Sequence, residues 1–323
     1  MTTCLVIQPI HPAGIAKLEH ANINVRRASG DAMASVAQEM GAVDAVITRS
    51  AGLNAQAMHH APQLKVIGSH GVGVNAIDIA CANALGIPIV NTPHSNVNAV
   101  AELTVSLTLA VMKQLRLADR ATRASNFGFK YQSHIHELTG KTLGVVGFGH
   151  IAKRSIRMLS QAFQMPVLVY SPSAQAAELA RYSARQVPLA ELLENADVLS
   201  LHVPLTPQTH QLIGAAELAQ MKQSAVLINT SRGDVVDETA LVAALEAGQL
   251  AGAGLDVYHS ETMPPQHPLL QLDNVVLTPH IGGSSQEALE RTALAVCEQV
   301  IDVLNHRKPA YLINEAIWQN RRL

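Results

Sequence analysis

The sequence is poor in aromatic residues, in charge and in cysteine. Only 3% of its 323 residues are aromatic and 15% are charged, so the core must consist mainly of Ala, Leu, Val and Ile. The net charge is −2 and there is no basic block, which argues against nucleic acid as a partner. Cys4, Cys81 and Cys297 are far apart and odd in number, which disfavours a disulfide framework.

Long apolar runs and targeting signals are also missing. No apolar run is long enough to span a membrane, and residues 1–7 have neither a basic n-region nor a small-residue cleavage site. We therefore expect a cytoplasmic protein without a membrane partner. Hydrophobic residues make up 48% of the chain, which excludes a disordered protein, and the length allows two domains with large cores.

Two series of short apolar strands alternate with helices. In the first series, strands are predicted at 4–7, 45–48, 65–68 and 87–90, and helices at 12–20, 31–41, 53–60 and 75–85. The second series begins at Lys141, with six strands at 143–146, 166–170, 197–201, 225–229, 252–257 and 275–278. Such alternation is typical of parallel sheets with helices on both faces.

Helical periodicity is strongest between the two series and at the end of the chain. Residues 98–123 are interpreted as one long helix that is apolar nearly all round and therefore buried between domains or subunits. Residues 124–139 have no clear period and could form an arm on a partner. A second helix is predicted at 286–305, where Ser284 and Glu287 have the spacing of a capping box.

A glycine turn follows the first strand of the second series. Gly147, Gly149 and Ala152 occupy the three small positions of the dinucleotide-binding fingerprint. The first allows a tight turn, the second lets backbone N–H groups approach a pyrophosphate, and the third lets the helix pack on the strand. The phosphates would then lie at the helix N-terminus, which favours anions.

Three polar residues follow three later strands of the same series. Arg232, Glu261 and His280 should all lie at the carboxyl edge of the sheet, where ligands bind in doubly wound folds. Each could be an ordinary surface residue if taken alone. Their convergence beside a phosphate-binding turn is much less probable by chance.

These motifs together resemble the D-isomer-specific 2-hydroxyacid dehydrogenase family over essentially the whole chain. The matching runs are Gly147-Phe148-Gly149-His150-Ile151-Ala152, Leu201-His202-Val203-Pro204-Leu205-Thr206, Asn229-Thr230-Ser231-Arg232-Gly233-Asp234, Gly254-Leu255-Asp256-Val257 with Glu261, and Thr278-Pro279-His280-Ile281-Gly282-Gly283. Asn91-Thr92-Pro93 and Val100-Ala101-Glu102 match the family's hinge and long helix. The resemblance implies a Rossmann-type nucleotide domain, 99–285, inserted into a flavodoxin-like substrate domain, 1–98 and 286–323. Both domains would be α/β and doubly wound.

The resemblance implies hydride transfer between NAD(P) and a small 2-oxo acid or D-2-hydroxy acid. Arg232, Glu261 and His280 would be catalytic. Arg232 would hold the substrate carboxylate, and His280 would donate a proton to the ketone oxygen. Glu261 would accept a hydrogen bond from the imidazole, and the backbone of Val72 and Gly73 would bind the carboxylate. Glyoxylate, hydroxypyruvate and phosphohydroxypyruvate are candidate substrates.

Further cofactor contacts carry over from the family's motifs. They are Thr104, Gly147, Gly149, His150, Ile151, Ser171, His202, Val203, Pro204, Thr209, Thr230, Asp256 and Gly282. Ser171 departs from the pattern, because NAD-specific members usually have an acidic residue there for the ribose 2′-hydroxyl. A serine does not repel a 2′-phosphate, so we expect NADP to be accepted alongside or in preference to NAD.

Two pairs of histidines could suggest a metal site. His59-His60 and His134-x-His136 lack a third ligand at a persuasive spacing, so no metal is predicted. The family is usually dimeric, which implies a homodimer. A catalytically silent dinucleotide-sensing interaction protein of the same fold is the alternative function, and the intact catalytic set argues against it.

Overall fold

The computed structural model describes residues 1–260 and 262–322, which fold as two compact units. One unit comprises Met1–Asn96 and Gly283–Leu323, and the other comprises Val97–Gly282. Glu261 lies outside the described residues, and its role stays a prediction. Among the described residues, no helix has both the length and the apolar character needed to cross a bilayer.

The first unit contains a parallel sheet of five strands. The strands are β1 (Thr3–Val6), β2 (Asn24–Arg27), β3 (Ala45–Thr48), β4 (Val66–Ser69) and β5 (Ile89–Val90), in the order β2-β1-β3-β4-β5. The helices between them are α1 (Pro12–His20), α2 (Met33–Glu39), α3 (Ala55–His59) and α4 (Ile79–Ala84). This is the strand order of flavodoxin-like folds. The predicted strands are confirmed to within a few residues, and β2 is an addition.

The last long helix completes this unit. We label it α13 (Gln286–Leu304), and its buried face packs on α1 and β4. Gly68 in β4 makes this close approach possible, since a Cβ atom there would lie 2.8 Å from Val296. The helix is capped by Ser285, whose hydroxyl accepts from the Ala288 N–H at 3.2 Å, and not by Ser284 as predicted.

The second unit begins with two helices where one was predicted. Helix α5 (Val97–Met112) is followed by α6 (Leu115–Arg123), and Gln114 between them adopts a left-handed backbone with φ 48°. The apolar, buried part of the predicted helix ends at Met112, whereas α6 has no buried residue. Because burial stops at this point, packing on the sheet does not hold the two segments in one line.

The sheet of the second unit has seven parallel strands. They are β6 (Leu143–Val146), β7 (Val167–Tyr170), β8 (Ala184–Gln186), β9 (Val198–Leu201), β10 (Val226–Asn229), β11 (Gly252–Leu255) and β12 (Val275–Leu277). Their order, β12-β11-β10-β9-β6-β7-β8, is the 3-2-1-4-5-6 order of dinucleotide-binding folds with one strand added. The fold class is therefore confirmed, with seven strands where six were predicted.

The remaining helices of this unit connect its strands. They are α7 (His150–Phe163), α8 (Ala176–Ala180), α9 (Leu189–Asn195), α10 (Ala215–Gln220), α11 (Glu238–Glu246) and α12 (Pro268–Gln271). Helix α5 packs against β10, β11 and β12. Gly254 in β11 permits this packing, because a Cβ atom there would lie 3.0 Å from the Cβ of Leu107. The carboxyl ends of the strands are thereby fixed on a rigid sheet.

Candidate active site

The glycine turn joins β6 to α7. Its two glycines differ in backbone conformation and in the space around them. Gly147 has φ 94°, and a Cβ atom there would lie 2.6 Å from the carbonyl oxygen of His202. The chain's own packing therefore requires glycine at this position. Gly149 has an ordinary extended backbone as the N-cap of α7, and a Cβ atom there would meet nothing within 4 Å. Its small size leaves open the space in front of the helix N-terminus.

The residues after Gly149 are consistent with a phosphate-binding helix start. His150 is exposed as the first residue of α7, Ile151 is half-buried, and Ala152 is fully buried against the sheet. The first turn of an α-helix has peptide N–H groups without intrahelical acceptors, and its dipole attracts anions. The open space beside Gly149 and this helix start together fit the phosphates of a dinucleotide.

The loops after β7 and β9 carry the next predicted cofactor residues. Ser171 follows β7 and is buried, and its carbonyl accepts from Gln186 Nε2 at 2.8 Å. His202 follows β9 and its Nε2 lies 2.9 Å from the hydroxyl of Ser200. Burial lowers the pKa of His202 to about 4, so this imidazole is neutral at ordinary pH.

The chain beyond His202 forms a compact turn. Val203 is half-buried against Gly147, and Pro204 is exposed. The Thr209 hydroxyl donates to the carbonyl of Pro204 at 2.5 Å and accepts from the Thr206 N–H at 2.8 Å. The hydroxyl of Thr209 therefore closes its own turn, and a contact between Thr209 and the cofactor stays a prediction.

Thr104 supports a neighbouring residue of the site, and its own contact with the cofactor stays a prediction. It lies in α5 with 0% of its surface accessible, and its hydroxyl donates to the carbonyl of Val100 at 2.9 Å. That donation leaves its oxygen to accept from the hydroxyl of Thr230, 3.0 Å away. The side chain of Thr230, just after β10, is thus fixed by a hydrogen bond to the buried hydroxyl of Thr104.

Arg232 is positioned by a tightly bonded loop after β10. The Asn229 side chain accepts from the Ser231 N–H at 3.0 Å and donates to the Arg232 carbonyl at 2.9 Å. Gly233 then passes so close to the next loop that a Cβ atom there would lie 1.8 Å from the carbonyl oxygen of Tyr258. These contacts fix the backbone on both sides of Arg232.

His280 and Arg232 line the same open pocket. The pocket is lined by Arg232, Gly233, Val257, Tyr258, Pro279 and His280, which follow β10, β11 and β12. His280 is exposed and has a left-handed backbone, with φ 53°. The sheet edge therefore brings a guanidinium and an imidazole to the same opening, as two of the three strand-end residues were predicted to do.

Asp256 and Gly282 take part in the protein's own framework, and their contacts with the cofactor stay predictions. Asp256 is 1% exposed, and its carboxylate accepts from the Thr278 hydroxyl at 2.7 Å and from the Ile281 N–H at 2.8 Å. It also accepts from the N–H of Gly282, at 2.8 Å. A buried carboxylate needs such donors, and these three come from the His280 loop.

The predicted substrate loop lies in the first unit, after β4. The carbonyl of Val72 accepts from Asn91 Nδ2 at 2.7 Å, and that of Gly73 accepts from the Ser69 hydroxyl at 2.8 Å. In the described part of the chain, the peptide N–H groups of Val72 and Gly73 have no acceptor. Val72 is 38% exposed. The loop thus offers two adjacent N–H donors, which suits a carboxylate.

Asn229, which bonds the loop of Arg232, and Tyr258, which lines the pocket, were missed as functional residues. Asn229 comes directly before Thr-Ser-Arg, and an Asx-type bond to the residue two positions on is a known habit of asparagine. That local signal was available in the sequence. Tyr258 acts through bonds to strand ends, which no sequence pattern shows. In residues 1–260 and 262–322, no group of three His, Cys, Asp or Glu side chains could hold a metal ion.

Comparison with known proteins agrees with this geometry. Residues 105–282 match the family model described as D-isomer specific 2-hydroxyacid dehydrogenase, NAD binding domain. A glyoxylate reductase from Thermofilum pendens is 41% identical over 275 residues, covering 84% of this chain and 81% of the relative. A D-3-phosphoglycerate dehydrogenase from Archaeoglobus fulgidus is 35% identical over 300 residues, covering 93% of this chain and 56% of the relative.

A solved structure has a similar fold over the whole chain. It is the NADPH-dependent glyoxylate/hydroxypyruvate reductase from Sinorhizobium meliloti in complex with NADP and malonate. It is 28% identical, with a TM-score of 0.86, and covers 100% of this chain and 99% of its own. The protein described here belongs to the D-isomer specific 2-hydroxyacid dehydrogenase family. It is an oxidoreductase that transfers a hydride between NAD or NADP and the 2-oxo acid/D-2-hydroxy acid pair.

Proposed function

We propose that the chain reduces a small 2-oxo acid, with glyoxylate and hydroxypyruvate as the first candidates and phosphohydroxypyruvate as the third. The observation that carries the proposal is the meeting of Arg232 and His280 at one pocket on the carboxyl edge of the second unit's sheet. The order of candidates follows coverage, because the chain spans 81% of the glyoxylate reductase relative but 56% of the phosphoglycerate dehydrogenase relative.

Each residue of the site has a separate role in the reduction of a 2-oxo acid. Arg232 presents a planar fork of donors that suits the substrate carboxylate and polarises the adjacent ketone. The peptide N–H groups of Val72 and Gly73 donate to a substrate carboxylate, and residues 1–98 with 286–323 form the substrate domain. His280 donates a proton to the ketone oxygen, and Glu261 accepts from its second ring nitrogen. When bound, the nicotinamide supplies the hydride.

The experiment is a panel of 2-oxo acids assayed with NADH and with NADPH, followed by loss of nicotinamide absorbance. The panel contains glyoxylate, hydroxypyruvate, phosphohydroxypyruvate and pyruvate. We expect turnover of glyoxylate or hydroxypyruvate, and D-glycerate as the product from hydroxypyruvate. If the wild type binds the cofactor but reduces none of the acids, the proposed substrates are wrong and a dinucleotide-sensing role is supported.

We propose further that NADPH is accepted at least as well as NADH. Support comes from Ser171, which replaces the acidic residue that would repel a 2′-phosphate. The Ser171→Asp variant should lower kcat/KM for NADPH by at least about tenfold and leave NADH less affected, because the new charge faces only the phosphate of NADPH. Ser173→Asp, two residues further on in the same loop, is the matched control. A wild-type enzyme with a large NADH preference would contradict the proposal.

We propose that the protein is a homodimer, through a surface formed by α6 and the segment after it. Helix α6 has no buried residue, and the residues that follow include Phe127 at 69% exposure and Tyr131 at 82%. Large exposed apolar side chains in a row are typical of an interface. Light scattering after gel filtration should give twice the 34.4 kDa chain mass, and Phe127→Ser with Tyr131→Ser should shift the mass toward one chain.

We place the protein in the cytoplasm. Cys4, Cys81 and Cys297 are all free thiols, and Cys4 and Cys297 are buried. Free cysteines are typical of a reducing compartment. Fractionation of the producing cells, with an antibody to the chain, tests this placement.

A further inference from the structure

The loop that carries His280 has an unusual backbone. His280 has φ 53°, in the left-handed region that residues other than glycine seldom adopt. Its N–H bonds to the carbonyl of Thr278 at 3.0 Å, the i to i+2 bond of a γ-turn centred on Pro279. A conformation of this kind persists only where the surrounding contacts hold it in place.

Asp256 holds both sides of this turn. Before His280, its Oδ1 accepts from the hydroxyl of Thr278 at 2.7 Å. After His280, the same oxygen accepts from the Ile281 N–H and its Oδ2 from the Gly282 N–H, each at 2.8 Å. The two successive N–H groups can meet one carboxylate because the backbone turns at His280. With 1% of Asp256 exposed, water does not compete for these bonds.

Tyr258 holds the same turn from a second point. Its hydroxyl donates to the carbonyl of Thr278 at 2.7 Å and lies 3.0 Å from that of Leu255. Tyr258 is two residues after Asp256, a spacing that places side chains on the same side of an extended chain. The hydroxyl stays protonated at ordinary pH, since burial raises its pKa to about 12. The ends of β11 and β12 are thereby joined through side chains.

We propose that Asp256 and Tyr258 are positioning residues for proton transfer, which hold the His280 backbone in its left-handed conformation so that the imidazole faces the pocket. The inference rests on the proposed role of His280 as the proton donor. A mispositioned imidazole slows the proton transfer without weakening the binding of substrate or cofactor.

The test uses two substitutions that keep the size of the side chain. Tyr258→Phe removes only the hydroxyl. Asp256→Asn leaves one acceptor oxygen and places an amide NH₂ against a backbone N–H. In each variant we expect kcat to fall by about tenfold or more while KM changes less than about threefold. The solvent deuterium isotope effect on kcat should rise, because proton transfer becomes more rate-limiting.

Two further readouts separate positioning from other roles. The Kd for NADPH and NADH, measured by nicotinamide fluorescence, should stay within about twofold of the wild type. Tm reports the structural effect of each substitution. Tyr311→Phe is the matched control, since Tyr311 lies on the first unit at 41% exposure and outside the pocket. If Asp256→Asn fails to fold, Tyr258→Phe alone carries the test.

Two outcomes would overturn the inference. One is a wild-type kcat and isotope effect in Tyr258→Phe with only Tm lowered, which shows a purely structural bond. The other is an Asp256→Asn variant whose loss lies in the Kd for the cofactor, which shows direct cofactor contact. Failure of the proposed function is distinguishable, because it would appear as a wild-type enzyme that reduces none of the 2-oxo acids.

Discussion

The backbones of Gly233 and Tyr258 touch: a Cβ atom at Gly233 would lie 1.8 Å from the carbonyl oxygen of Tyr258. Gly233 directly follows Arg232, and Tyr258 belongs to the loop after β11. Contact between main chains is possible here because glycine has no side chain. This contact sets how closely the loops after β10 and β11 can approach, and both loops line the pocket.

Gly233→Ala should therefore damage both stability and activity. The added methyl group overlaps a carbonyl that cannot move without shifting the loop, so we expect a loss of about 3 kcal/mol or more in the free energy of unfolding. We also expect kcat/KM to fall by more than about a hundredfold. Urea unfolding and steady-state kinetics measure the two effects. Gly41→Ala, where a Cβ atom would meet nothing within 4 Å, should be nearly neutral, and an active, stable Gly233→Ala enzyme would refute the packing argument.

The two glycines of the dinucleotide turn should respond differently to alanine. Gly147→Ala meets the His202 carbonyl at 2.6 Å on a backbone with φ 94°, so the variant should be destabilised before any cofactor is added. Gly149→Ala has open space around the new methyl group, so Tm without cofactor should stay close to the wild type. Its Kd for NADPH and NADH should rise by about tenfold or more, because the methyl group occupies the approach to the helix N-terminus. Equal cofactor affinity in Gly149→Ala would contradict a phosphate site at this turn.

Acid should destabilise the first unit through His70. This residue is 9% exposed, and burial, with the charge of Arg49, lowers its pKa from 6.5 to about 4. Between these two values the unfolded chain binds a proton that the folded chain does not, so stability is complete above pH 6.5 and falls as the pH drops toward 4. The loss from this one imidazole amounts to about 3 kcal/mol.

The slope of unfolding free energy against pH between 7 and 4 tests this point. His70→Asn should flatten the slope, because asparagine cannot take up the proton. His306→Asn, an exposed histidine of the same unit, should leave it unchanged. An unchanged slope in His70→Asn would show that the His70 imidazole ionises alike in the folded and unfolded chains.

The sequence predicted the sheets because their central strands are apolar runs between helices with a clear period. It did not predict β2 and β8, each at one edge of its sheet, where polar residues such as Arg27 and Arg185 are exposed. The break at Gln114 was missed for a related reason. Helical periodicity continues through that residue, and only the packing of α5 on the sheet shows where burial ends.

The part of the candidate site that lies directly after the strands was predictable from the sequence. Arg232 and His280 were located by their motifs and by the rule that ligands bind at the carboxyl edge of such sheets. The parts played by Asp256, Tyr258 and Thr104 were not predictable. They depend on hydrogen bonds between residues that are far apart in the chain, such as the bond between Thr104 and Thr230. The family resemblance implies cofactor contacts for Asp256 and Thr104, and their burial adds a structural role that no motif shows.

The most direct measurement compares kcat in the wild type, His280→Ala and His306→Ala. The two histidines share a left-handed backbone, with φ 53° and 60°, so alanine imposes a similar backbone cost at both positions. If His280 donates the proton, His280→Ala should lower kcat by about a thousandfold while the Kd for the cofactor stays within about twofold, and His306→Ala should match the wild type. A His280→Ala enzyme that keeps kcat within about tenfold of the wild type would contradict the assignment of His280 as the proton donor.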